Sequence, residues 1–217
     1  LIINAPSIRA QMQIQTWTGP DSTITLDYQD SLALVAKGQS VLQVWNTNTN
    51  QMVIQTPPVA NYIATATGGN IFRKGDSILI AVKIYLNKTI TAFVYEPISG
   101  LSAPFGYSLP LGATGYCCAE FPLMRKTSTG ISFLSQYEIG GLVSREIGNI
   151  TLSGITVGNP ASWGGTFPTD VGFSSDDLHH FYLRNLSGGG FEVVCTQNSL
   201  AQNTIWRSEE HTSELQS

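Results

Sequence analysis

The sequence predicts an all-β fold: a β-propeller fragment of about four blades, each a four-stranded antiparallel sheet. Three observations lead there. The composition favours strands and turns, four stretches read as β-hairpins, and those hairpins recur at a nearly fixed interval. Only 12% of the 217 residues are charged, against about a quarter in an average soluble domain. Ser, Thr, Asn, Gln and 21 Gly take their place. Helices cover their wet faces with Glu, Lys, Arg and Ala, whereas strands favour Val, Ile, Thr and aromatics.

Each hairpin is an apolar run, a short polar or Gly turn, and a second apolar run. The first spans Ser31–Asn46, so Leu32–Val35 should pair with Val41–Trp45. The second spans Ser77–Glu96, with Ile78–Tyr85 against Ile90–Tyr95. The third spans Gly130–Ile147, with Ile131–Tyr137 against Leu142–Ile147 across Gly140 and Gly141. The fourth spans Asp177–Cys195, around three Gly at 188–190. The second strands begin at Val41, Ile90, Leu142 and Phe191, in steps of 49, 52 and 49 residues. A period of this size with several strands per unit marks propeller blades. Asn61–Thr67 and Ile150–Val157 read as further short strands that complete the sheets. Pro97–Pro122 reads as a long irregular inter-blade loop. A single β-sandwich or jelly roll also shows evenly spaced hairpins, but its strands usually alternate because one face is wet. Ile78–Val82 and Leu32–Val35 are apolar throughout, as expected of strands covered on both faces.

The C-terminal end reads as non-native and the N-terminal end as cut. Residues Arg207–Ser217 spell a translated short-read sequencing adapter, and the chain opens on Leu1 rather than Met. The expectation is a partial propeller over residues 1–206, cut at both ends, followed by an adapter-derived tail over 207–217. Net charge is −4 in full, and −2 once Arg207, Glu209, Glu210 and Glu214 are set aside. So few cations build no phosphate-neutralising stripe, which argues against nucleic acid as a partner. No apolar run approaches the roughly 18–20 residues that span a bilayer.

The chemistry-bearing residues point away from catalysis. There is no nucleophile elbow, no His-Glu-x-x-His helix and no phosphate-cradling Gly loop. The sialidase Ser-x-Asp-x-Gly-x-Thr-Trp box is also missing, and no carboxylate pair can be nominated for glycoside hydrolysis. The expectation is a protein that is not an enzyme and carries no cofactor or metal. Cys117, Cys118 and Cys195 lack metal-ligand spacing and read as buried thiols or one structural bridge. His179 and His180 are strand neighbours on opposite faces, as are Arg145 and Glu146. Asp176 and Asp177 read as turn residues. The sequons at Asn87, Asn149 and Asn185 lean toward a secreted or cell-surface protein.

The hairpins resemble those of the six-bladed fungal fucose-specific lectins. Tyr85 in Val-Lys-Ile-Tyr-Leu and Tyr182 in His-His-Phe-Tyr-Leu look like the tyrosine of that family's first blade strand. Trp206 looks like the Trp that closes a blade. In that family an Arg and a Glu twelve residues later bind sugar hydroxyls between blades, and an aromatic stacks on the ring. The resemblance implies a carbohydrate site at His180 and Glu192, with Trp206 or Trp163 as the stacking plate. Gln43, Ala92 and Ser144 hold the Glu position in the other blades, so no blade keeps the complete pair. The implied partner is a glycan. The alternatives are a propeller that scaffolds a protein ligand, or a jelly-roll capsid or surface protein.

Overall fold

Each of the four expected hairpins forms the centre of an antiparallel sheet. A computed structural model describes residues 23–37, 41–59, 68–84, 88–115 and 122–158, and beyond them the backbone of strands at 161–163, 173–175, 179–185, 191–197 and 202–207. All regular structure among these residues is β, so no helix there is long and apolar enough to cross a membrane.

Sheet 1 is a meander of β1 (Thr23–Gln29), β2 (Leu32–Lys37), β3 (Val41–Asn46) and β4 (Gln51–Gln55). Sheet 2 runs β5 (Gly69–Lys74), β6 (Ser77–Ile84), β7 (Thr89–Glu96) and β8 (Gly100–Leu101), with β9 (Phe105–Tyr107) also on β7. In sheet 3, β10 (Thr114–Gly115) and β11 (Leu123–Lys126) both pair with β12 (Ile131–Ile139). Its next strand, β13 (Leu142–Thr151), carries both β14 (Gly154–Val157) and β15 (Ala161–Trp163). Sheet 4 is a meander of β16 (Phe173–Ser175), β17 (His179–Asn185), β18 (Phe191–Gln197) and β19 (Gln202–Arg207).

The four-strand plan therefore needs one correction. Sheets 1 and 4 keep it, whereas sheets 2 and 3 fill some strand positions with two short pieces. β8 pairs with Tyr95 and Glu96 while β9 pairs with Ile90–Ala92, so they are two halves of one outer strand. β10 and β11 share the first position of sheet 3 in the same way, and β14 and β15 share its last. The expected loop at Pro97–Pro122 thus contains β8, β9 and β10. Ile150–Val157 is not one strand but the end of β13, a tight turn at Leu152 and Ser153, and β14. Asn61–Thr67, Cys117, Cys118 and the expected tail from Ser208 onward lie outside the described residues, while Arg207 ends β19.

Packing follows from strands that are apolar on both sides. Along β6, Ile78, Ile80, Val82 and Ile84 face Leu34, Leu42 and Val44 of sheet 1. The alternate residues Leu79 and Ala81 face Ile131, Phe133 and Ile150 of sheet 3. A two-layer sandwich leaves each sheet one outer face. Here sheet 2 is covered on both, and the sheets stack in chain order.

At one edge of the stack the first strands of successive sheets meet: β1 lies beside β5, β5 beside β11, and β11 beside β16. Polar side chains key this edge. A β-bulge shifts the register between Thr25 and Asp27, and bulges re-aim side chains. Asp27 Oδ2 accepts from the Ile71 amide at 2.9 Å and from Asn70 Nδ2 at 3.3 Å. Gln29 grips the Arg73 backbone, its Oε1 accepting from the amide at 3.0 Å and its Nε2 donating to the carbonyl at 3.4 Å. Lys126 of β11 reaches past β5 to Asp27 Oδ1 at 2.9 Å and the Tyr28 carbonyl at 2.7 Å.

Two stability predictions arise from this geometry. Asp27→Ala orphans an amide and a cation, so it should cost about 2–3 kcal/mol in denaturant unfolding. Lys126→Met removes a partly exposed ion pair and the hydrogen bond to the Tyr28 carbonyl, and should cost about 1–2 kcal/mol. Gly148 is paired with Phe133, and a Cβ there would stand 2.2 Å from the Phe133 ring and 2.8 Å from the Thr156 carbonyl. Gly148→Ala should therefore cost about 1–3 kcal/mol, the usual penalty of overpacking, read by the same unfolding measurement.

Candidate binding groove

The layer between sheets 2 and 3 divides into a closed polar half and an open half. In the closed half, β13 carries Glu146, which is 6% exposed. Its Oε1 accepts from the Tyr137 hydroxyl at 2.7 Å, within sheet 3, and its Oε2 from the Tyr107 hydroxyl at 2.8 Å, across the layer from β9. Tyr107 also packs on Phe133, with ring centroids 4.8 Å apart. Burial pushes both phenols well above their ordinary range, and the neighbouring carboxylate adds to it. Arg145 points the other way, its Nε donating to Gln136 Oε1 at 2.8 Å. The expected opposition of Arg145 and Glu146 is therefore seen. With both tyrosines and the carboxylate buried, this half is a key between sheets.

The open half is a groove of about 560 Å³ between the β7–β9 edge of sheet 2 and the β13–β14 turn of sheet 3. That volume falls within the range of about 300–1,000 Å³ typical of small-ligand sites. Val94, Phe105, Leu152 and Ile155 supply apolar surface, and Glu96, Ser99, Ser102 and Ser153 supply polar groups. Ser102 stands in the gap between β8 and β9, where its amide donates to the Val94 carbonyl at 2.7 Å and its Oγ accepts from the Val94 amide at 3.0 Å. One serine thus replaces a ladder pair at the break. Glu96 Oε2 accepts from Ser99 Oγ at 2.8 Å. Across the groove, Thr151 and Ser153 share a hydroxyl bond of 2.9 Å and fix the turn.

No family model and no curated protein matches this chain.

The residues nominated from sequence lie elsewhere. His180 pairs with Ser175 and Thr196, and Glu192 with Arg184 and Arg207. Arg184, not His180, is therefore the residue across from Glu192. Trp206 pairs with Val193 on the outer strand of sheet 4, and Trp163 with Val143 in sheet 3. The side chains of these four residues lie outside the described ones, as do Asn87 and Tyr85. Gln43, Ala92 and Ser144, which hold the Glu position in the other hairpins, are all buried in the layers. Asn149 sits in mid-strand between Ser132 and Thr156 and accepts a hydrogen bond from the Ser132 hydroxyl, a poor setting for a glycan acceptor.

The sequence reading missed the groove because its residues come from a supposed loop and from the turn inside a supposed single strand. The alternation Phe105-Gly106-Tyr107, which puts both aromatic side chains on one face of β9, was the available signal. Glu146 had a signal too: a carboxylate inside an otherwise buried strand must find donors.

The two phenols give a test of the closed half. Their folded pKa values lie above the unfolded value of about 10, so their contribution to stability is complete below that pH. It is lost as pH rises beyond it, because only the unfolded state then readily releases those protons. Alkaline titration should show the phenolate absorbance of Tyr107 and Tyr137 appearing together with unfolding. In Glu146→Leu the unfolding free energy at neutral pH should drop by about 2–4 kcal/mol, for two orphaned hydroxyls.

Proposed function

We propose that the four sheets are propeller blades and that the protein binds carbohydrate without catalysing a reaction. Support for the propeller comes from the chain-order stack and from first strands that meet along one edge, as blades do around an axis. Each sheet uses consecutive strands, which argues against the long crossing connections of a jelly roll. The resemblance to fungal fucose-specific lectins supports the sugar reading, and those lectins also bind between blades.

The observation that carries the function is the open groove between sheets 2 and 3. A sugar ring offers hydroxyls on its edge and CH patches on its face. An apolar surface bordered by a carboxylate and hydroxyls matches both. Fold alone would not choose a function; the groove's lining is what supports this one.

The test is a glycan array on the full chain, followed by calorimetry on any hit. Saccharide binding that is lost in Ser153→Trp, which fills the mouth of the groove from an exposed turn, is the expected result. No binding by any saccharide overturns the carbohydrate reading and leaves a scaffold for a protein ligand.

A further inference from the structure

The groove's polar groups differ in what they have left to give. Ser99 spends its hydroxyl proton on Glu96, and Ser102 donates its own to the Ala103 carbonyl at 2.9 Å. Ser153 shares its hydroxyl with Thr151, whose Oγ1 also accepts from the Ser153 amide. Among the described residues the lining contains no Lys, Arg or His. Side-chain donors are thus committed to the protein's own structure, whereas acceptor capacity is in surplus.

Most of that surplus is on Glu96. A carboxylate offers about four lone-pair sites, and one hydrogen bond, from Ser99 to Oε2, is made among the described residues. Glu96 is exposed and ends β7 beside the apolar residues Val94 and Phe105. A ligand complementary to this arrangement brings donors and positive charge to one point and an apolar face to the rest. An ammonium has three donors and no acceptor. A carboxylated or sulfated saccharide would meet Glu96 as a like charge with no cation in the lining to answer it.

We propose that this groove selects saccharides bearing a protonated amine, with Glu96 as the counter-charge and Val94, Phe105, Leu152 and Ile155 under the ring. The proposal rests on the reading of the groove as a carbohydrate site. It adds the ligand class, which neither the fold nor the lectin resemblance supplies. The amine pairs with Glu96 near Oε1, while Ser99 holds Oε2 and so fixes the carboxylate's orientation.

The test compares three oligosaccharides of equal length by calorimetry on the full chain: a β1,4-linked glucosamine tetramer, its fully N-acetylated counterpart, and a tetramer of uronic acids. The glucosamine tetramer should bind about tenfold or more tightly than the acetylated one, the size of one charge-assisted hydrogen bond, and the acidic tetramer should not bind. Glu96→Gln should erase the preference, and Ser153→Trp should abolish binding. If the acetylated tetramer binds equally well and Glu96→Gln changes nothing, while Ser153→Trp still blocks, the amine inference is overturned and the carbohydrate reading stands. Saccharide binding that neither variant alters overturns the groove as the site. If none of the three binds and the array is also blank, the carbohydrate reading fails, and this proposal with it.

Discussion

Strand β6 is buried along nearly its whole length on both faces, and the rest of the described structure depends on this. A strand with one wet face needs a single partner layer. A strand such as Ile78–Ile84, whose alternate side chains all avoid water, forces a sheet onto each side. Sheet 2 therefore cannot be the outer half of a sandwich. The same condition extends to its neighbours: Ala33 and Val35 on the far face of sheet 1 are fully buried, as is Leu134 on the far face of sheet 3. Low charge is the compositional counterpart, because a stack has little wetted sheet face to cover with Lys and Glu.

Apolar layers hold sheets together but do not fix how one sheet slides on the next. Directional contacts do that here. Glu146 joins Tyr137 of its own sheet to Tyr107 of the preceding one, and only one relative position satisfies both hydroxyls. At the stack's edge, Asp27 and Gln29 each bond backbone groups of β5, so β1 is held in one register against it. Buried or half-buried polar groups are costly when unpaired, which makes the correct stacking position the one that pairs them. Within sheet 3, Phe133 keys β12 against β13, since its ring occupies the space over Gly148 that any larger residue would need.

The hairpins were legible because each is local: a run of strand formers, a turn with Gly or Asn, and a second run lie within about twenty residues. Gly140 and Gly141, with φ of 59° and 78°, have the conformation a two-residue hairpin turn requires. The broken strands were not legible, because pieces such as Gly100–Leu101 and Thr114–Gly115 are too short to show a period of two. Ile150–Val157 was misjudged for a related reason. A turn at Leu152-Ser153 carries no Pro or Asn, and its Gly comes only at the next position. The candidate site was harder still. The twelve-residue spacing of His180 and Glu192 is a distance along the chain; in the hairpin register Glu192 lies across from Arg184 and His180 across from Thr196. The groove joins residues near 100 to residues near 153, a proximity that exists only once sheets 2 and 3 have stacked.

The groove and the broken outer strand have one cause. Had β8 and β9 been continuous, residues 102–104 would extend the ladder along β7. The break leaves the Val94 amide and carbonyl in need of partners. Ser102 meets both needs from one residue, through its own amide and its hydroxyl. On the facing side, the turn at Leu152 and Ser153 is stiffened by the Thr151 hydroxyl, which also donates to the Gly154 carbonyl at 3.2 Å. Both walls are therefore ordered by hydroxyl-to-backbone bonds, in a chain with few charges to use instead. A cleft ordered in this way exists before any ligand arrives, so little binding energy is lost to arranging it. The abundance of Ser and Thr thus has a structural role: it lets strands end or break at the surface without leaving backbone groups unpaired.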